Sequence, residues 1–430
     1  MEHFMGGEKV MPARARVESD AFSMWLDFFR WTAALLVVID HVQNRFLVRI
    51  PDIPFNNRTA ALYAFAFFSG FAHQAVMVFF VLSGFLVGGG LWRELQATGA
   101  IDLLSYVAKR VSRLCIVLYP ALIVMVILNS VGIYYFKGIG NGTYFPDILA
   151  RMSPATFTCN VLFLQTAACS EFGGNTALWS LFNEFWYYSI WPLVLLGLWA
   201  ARGWEKRASL LLLAGVMLVV LSTAQEVGSV SLGPYMLIWL LGVGVAAFRN
   251  PIRRFCSTRF MALVFMMDLL AARILFRRTF WDNHPARVFG ADMLMAILFA
   301  MLLMSMKESS TLPRPIARQW NAKLAAFSFS LYCIHVPVLV FYGAAIKHYF
   351  GDRFESRISG IPSQELSVLH MVPTGMIEWS IVFGGIALSV AFAFVFSLAT
   401  EAHNAKLRRW LLALIKRRVT PRIIENCRVS

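Results

Sequence analysis

Charge is what this chain has least of. Only 15% of its 430 residues are Asp, Glu, Lys or Arg, against about a quarter in soluble globular domains, so a string of soluble domains is excluded. Cysteine is also sparse. Six cysteines in 430 residues make neither a disulfide framework nor a metal-binding motif, and no metal is expected. The apolar stretches do not alternate with polar residues, which argues against a membrane β-barrel. No sequence repeat is visible. Residues 1–23 are polar and mixed in charge, without the pattern of a cleavable signal peptide. Acidic residues are fewer than basic ones, giving a net charge of +15. The basic residues sit in short clusters between apolar runs. That arrangement points to membrane lipid headgroups and an anionic small molecule as partners, and away from nucleic acid.

What is abundant is long apolar sequence. Hydrophobic residues make up 58% of the chain, and its mean hydropathy is +0.63. Runs of spanning length define an all-α fold, a polytopic integral membrane helical bundle. Ten transmembrane helices are expected, at 24–44, 61–92, 114–136, 178–200, 209–223, 233–248, 260–276, 288–306, 324–349 and 378–399. Positive charge between them places both termini on the cytoplasmic side. The chain then divides into a cytoplasmic N-terminal arm (1–23), the membrane domain (24–400) and a basic cytoplasmic tail (401–430). Two connections placed outside go against the charge rule: 45–60, with Arg45, Arg49 and Arg58, and the one carrying Arg277, Arg278, His284 and Arg287. The longest external loop, 137–175, either shapes a site or is simply solvated. It holds Cys159 and Cys169, which can pair if that face is oxidising.

Ionisable groups inside apolar helices are costly and mark where chemistry is expected. The first span holds Arg30, Asp40 and His41. Arg30 and His41 are eleven residues apart, almost three whole turns, so both lie on one face, roughly 16 Å apart along the axis. The bland alternative is an arginine snorkelling to headgroups and a histidine satisfied by a neighbouring helix. Ser83 precedes a glycine-rich stretch (Gly84, Gly88, Gly89, Gly90) and suits helix packing better than nucleophilic attack. Arg110 and Arg113 share one helix face and present two guanidinium groups suited to a phosphate or pyrophosphate, although an ordinary charge belt looks the same. Glu184 sits about two turns into an aromatic helix opened by Trp179, and needs a cation or a polar ligand. Asp268, Arg273 and Asp292 are further candidate interior polar groups. Pro337 frees a carbonyl one turn earlier, close to His335.

These signals occur in a recognisable order. Arg30 and His41 come first, then Phe-Phe-Val-Leu-Ser-Gly-Phe (79–85), Arg110 and Arg113, Tyr119-Pro120, Trp-Ser-Leu-Phe-Asn-Glu (179–184), and Ser328 through Tyr332 and His335 to Pro337. In this order and at these intervals the chain resembles the acyltransferase 3 family of integral membrane acyltransferases, over roughly residues 20–405. The resemblance implies O-acyl transfer, usually acetyl, from acetyl-CoA or another acyl-CoA to a hydroxyl of a surface or exported carbohydrate acceptor, such as exopolysaccharide or lipopolysaccharide O-antigen. It implies Arg30 and His41 as the family's arginine–ten residues–histidine motif, with His41 as leading catalytic candidate. It also implies the Arg110/Arg113 pair on the donor side, Glu184 as the acidic site residue, and His335 and Tyr332 in the family's late motif. Arg30, near the cytoplasmic start of its helix, is expected both in catalysis and in donor binding. Two departures stand out: Phe182-Asn183 replaces a small polar residue before the glutamate, and Val336 an often aromatic position. The location implied is a bacterial inner membrane.

The chemistry agrees with that likeness. Removing a hydroxyl proton needs a base near working pH, for which histidine fits best. The phosphates of coenzyme A need arginines, and an oxyanion needs nearby donors. Glu184 is expected to orient His41, ahead of Asp40, which points about 100° away on an ideal helix. The competing class is a proton-coupled transporter, which would show broken helices in paired repeats; a non-catalytic scaffold is the third.

Overall fold

The computed structural model describes residues 13–136, 148–225, 231–252, 257–275, 285–306, 316–350, 369 and 371–426. Residues 137–147 of the long loop, and Arg277, Arg278 and His284, lie outside the described residues. Regular structure among the described residues is helical; the only β-type pairings there are isolated bridges, Leu47 with Met371 and Gln165 with Cys169.

Helix α1 spans Ala13–Phe46 and buries Ala34, Val37, Val38, Val42 and Phe46. It packs along α3 (Ala72–Ser83) and α14 (Ser328–Phe350), the two helices that supply the rest of the centre. The expected second span is several pieces. After α2 (Ala60–Ser69), capped by Thr59 Oγ1 accepting from the Leu62 amide (3.2 Å), the chain turns at Gly70 and Phe71. It continues through α3, a π-helical turn over Gly84–Gly88, and α4 (Gly89–Thr98). Gly99 ends α4 in the left-handed region (φ 69°), where glycine carries no Cβ penalty.

Helix α5 (Leu103–Val131) starts about two turns before Arg110, with Asp102 capping the Ser105 amide at 3.0 Å. The basic connection is therefore a four-residue turn, 99–102, and Arg110 and Arg113 ride on a long helix. Short helices α6 (Ile148–Arg151) and α7 (Pro154–Val161) lead to α8 (Trp179–Leu195). Then come α9 (Trp204–Ala224), α10 (Leu232–Ile252), α11 (Thr258–Leu275), α12 (Pro285–Ser305) and α13 (Arg318–Ala326). After α14, helix α15 (Met376–Ala399) and the tail helix α16 (Asn404–Asn426) close the chain, and α16 packs on α5.

Seven stretches among the described residues are long and apolar enough to cross a membrane: Phe22–Phe46, Ala60–Thr98, Leu103–Phe136, Trp204–Ala224, Ala286–Ser305, Ser328–Phe350 and Met376–Ile415. The fourth, sixth and seventh expected spans are helices too, but weaker candidates. Helix α8 carries Asn183 and Glu184, the apolar part of α10 is only Leu232–Phe248, and α11 carries Arg259, Asp268 and Arg273. Glycine sets one contact decisively. A Cβ on Gly84 would lie 1.8 Å from the Trp239 carbonyl oxygen, and one on Gly242 2.0 Å from that of Val81. Backbone touches backbone there, as small residues permit.

Candidate active site

Arg110 and Arg113 on α5, Arg30 on α1 and Arg408 on α16 converge on a cavity of about 370 Å³. Lys109 also lines it, and Glu184 is its one acidic residue, so five cations surround a single carboxylate. The middle of the cavity is apolar, formed by Phe79, Phe80, Leu82, Leu114 and Leu181. Its deeper walls include Ser83, Ser180, Tyr188 and Tyr332. Positive charge at the mouth and apolar walls within suit a ligand with an anionic head and a less polar arm.

The side chains at the wall are held by one another. Tyr188 Oη donates to Glu184, and shares a hydrogen bond with Ser83 Oγ (3.0 Å), which also accepts from Trp239 Nε1 (3.0 Å). The Arg110 guanidinium lies over the Tyr188 ring at 5.9 Å. Tyr332 Oη is 2.7 Å from Ser180 Oγ, and its ring is edge-on to Phe79 at 5.8 Å. Arg30 pairs with Asp27 at 3.5 Å. Trp179 stays outside the cavity lining and packs edge-on to Phe80 at 6.0 Å, a supporting contact.

Beyond Tyr332 lies a second polar centre. The rings of His41 and His335 meet edge-to-face at 4.9 Å, and the Tyr332 ring is 6.2 Å from that of His335. Arg45, one turn after His41, donates through Nη1 to Nδ1 of His41 and through Nη2 to Thr176 Oγ1 (3.1 Å). Nδ1 of His335 is 2.9 Å from the Leu331 carbonyl. The carbonyl that Pro337 frees, that of Cys333, accepts from Asn175 Nδ2 at 2.8 Å. Asn175 is the last residue of the long loop and Thr176 follows it directly, so the end of that loop shapes the site. Cys159 and Cys169 are joined as a disulfide in the same segment.

Arg30 and His41 face the same partner helix, α14, as their spacing requires: Arg30 shares the cavity with Ser328, Phe329 and Tyr332, and His41 meets His335. One expectation is corrected. Among the described residues no hydrogen bond or ion pair joins Glu184 to His41; Glu184 belongs to the cavity and Arg45 orients the histidine. Asp40 accepts from Asn44 (2.9 Å), away from His41 as the helix geometry implies. Arg273 donates to the Ala66 (2.7 Å) and Phe67 (3.1 Å) carbonyls at the end of α2, and Asp292 accepts from His73 and Tyr235, each at 2.7 Å. These groups, and Asp268, stand apart from both centres.

Sequence inspection misses Arg45, Asp27, Tyr188, Thr176 and Arg408. Arg45 had two signals: its spacing of four from His41, and its presence on the wrong side of the charge rule. It is only 1% exposed, so it is a buried site residue and no loop charge.

The helical bundle thus holds a basic cavity that reaches Tyr332, whose ring lies 6.2 Å from that of the buried His335. The chain belongs to the acyltransferase 3 family: the family's profile, described as an acyltransferase domain, matches residues 24–398. No curated protein and no solved structure matches the chain. The family makes it a multi-pass membrane acyltransferase and sets aside the carrier and scaffold alternatives.

Proposed function

We propose that the protein moves an acetyl group from acetyl-CoA, entering from the cytoplasm, to a hydroxyl of a surface or exported carbohydrate, of the exopolysaccharide or O-antigen kind. The observation that carries this reading is the cavity in which Arg30, Lys109, Arg110, Arg113 and Arg408 surround one carboxylate and which ends at Tyr332, beside the histidine pair. Guanidinium groups match the phosphates of coenzyme A in charge and geometry. The pantetheine arm then runs along the apolar walls, and the thioester reaches the histidines. The acceptor approaches from the opposite, disulfide-bearing end. The hydroxyl oxygen bonds to the thioester carbon as its proton passes to an imidazole. Collapse of the tetrahedral intermediate breaks the C–S bond, and the thiolate leaves and is protonated.

Direct transfer is favoured over an acyl-serine route. Ser83 Oγ is engaged by Tyr188 and Trp239, neither of which is a base suited to activating it. With the basic end in the cytoplasm, the location is a bacterial inner membrane. The test is mass spectrometry of base-labile acyl groups on cell-surface glycans from cells lacking the protein, cells with it restored, and cells carrying His41→Ala at equal membrane levels. One acyl mass lost in the first and third and regained in the second identifies group and acceptor together. Unchanged glycans in all three would remove the carbohydrate acceptor from the proposal.

A further inference from the structure

His41 and His335 form one centre, yet their surroundings prepare them for opposite tasks. A neutral imidazole has one N–H and one bare nitrogen, and the hydrogen bond at one nitrogen decides what the other can do. Arg45 is a guanidinium and can only donate, so Nδ1 of His41 must accept and Nε2 holds the proton. The Leu331 carbonyl can only accept, so Nδ1 of His335 holds the proton and Nε2 is bare. That bare Nε2 is fully buried and has no hydrogen-bond partner among the described residues. A buried acceptor left unpaired is unfavourable in a folded interior and calls for a partner that arrives later.

We propose that Nε2 of His335 takes the proton of the acceptor hydroxyl, while the Nε2–H of His41, oriented by Arg45, donates to the thioester oxygen as it becomes an oxyanion. The inference rests on the acyl-transfer reading and assigns its two polar tasks. The rings touch edge-to-face at 4.9 Å, so base and donor stand side by side and can both reach one reacting centre. His41 is half-buried and His335 fully buried, so substrate reaches the pair on the His41 side. As the new C–O bond forms, the hydroxyl proton moves to His335. When the C–S bond breaks, that proton passes to the departing thiolate, leaving ester, free thiol and a neutral His335. His41 keeps its own proton throughout. Arg45 is a positioning residue: it acts by holding the His41 tautomer.

The test separates base from donor by changing the acceptor. Purified full-length protein is given acetyl-CoA with either alkali-treated cell-surface glycan or hydroxylamine, a nucleophile that needs little help from a base. In His335→Asn the amide keeps a donor for the Leu331 carbonyl and lacks the distal nitrogen. It should lose transfer to glycan by about 10²-fold or more and keep transfer to hydroxylamine near the wild-type rate. His41→Gln, whose amide N–H replaces the donor, should retain part of both activities, and His41→Ala should lose both. Equal loss of both acceptors in a stably inserted His335→Asn, or wild-type transfer to glycan, overturns the assignment. If His335→Asn fails to insert, the His41 pair decides, and loss of glycan transfer alone in His41→Gln overturns it. Wild-type protein that acylates neither acceptor would count against the acyl-transfer reading itself.

Discussion

Arg45 follows His41 by one helical turn and is buried with both of its terminal nitrogens engaged, by His41 and Thr176. Lysine keeps the charge but not the fork that reaches two acceptors at once. Arg45→Met should lower kcat for acyl transfer by about 10²-fold, the scale expected when a group that prepares an oxyanion donor is removed, while leaving the KM for acetyl-CoA little changed. Arg45→Lys should recover only part of the loss. Steady-state kinetics on the purified enzyme separate the two parameters, and a raised KM with normal kcat would put Arg45 on the donor side instead. Arg110 gives the opposite pattern. It lines the cavity mouth and lies over the Tyr188 ring, so Arg110→Ala should weaken coenzyme A binding by about 1.5–3 kcal/mol, the usual worth of hydrogen bonds to charged groups. Isothermal titration with coenzyme A reads this directly.

At the scale of elements, two contacts hold the site together. The first is the crossing of the α3–π-turn segment and α10, where Gly84 faces the Trp239 carbonyl and Gly242 that of Val81. Backbone cannot retreat as a flexible side chain can. Gly84→Val should therefore cost more than the roughly 1–3 kcal/mol typical of overpacking, and should appear as a lower unfolding temperature in detergent or as failure to insert. The second is the loop 148–178, tied by the Cys159–Cys169 disulfide and hooked onto the histidine centre by Asn175 and Thr176. Reducing that bond, or replacing both cysteines by serine, should lower kcat while leaving coenzyme A binding unchanged, because the cavity mouth lies at the other end of the bundle. Kinetics and titration on the reduced protein check both halves of that statement.

The whole molecule has a basic end and a disulfide-bearing end. The proposed orientation puts the first in the cytoplasm, where acyl-CoA is made, and the second outside. Exposed Phe55 and Trp204 belong to opposite ends. A cysteine at Phe55 should react with a membrane-impermeant maleimide on intact cells; one at Trp204 should react only after permeabilisation. The reverse labelling would invert the bundle and the direction of transfer.

Much of this was readable from residues alone. Long apolar runs with few charges leave helices as the only economical way to satisfy backbone groups in lipid, so the membrane bundle followed from composition. Three residues of spacing put Arg110 and Arg113 on one face, and eleven put Arg30 and His41 on another, because the helical period is local and fixed. The ordered motifs carried the family. What spacing along one helix does not encode is which neighbour each face meets. Only the tertiary structure took Glu184 away from His41 and gave it to the basic cavity, turned Arg45 from a misplaced loop charge into the partner of His41, and folded Arg408 of the tail into the cavity wall. It also set His335 against His41 across two helices some three hundred residues apart in sequence. Such pairings depend on how packed helices rotate and cross, which is decided by contacts like Gly84 against Trp239, far along the chain from the residues they bring together.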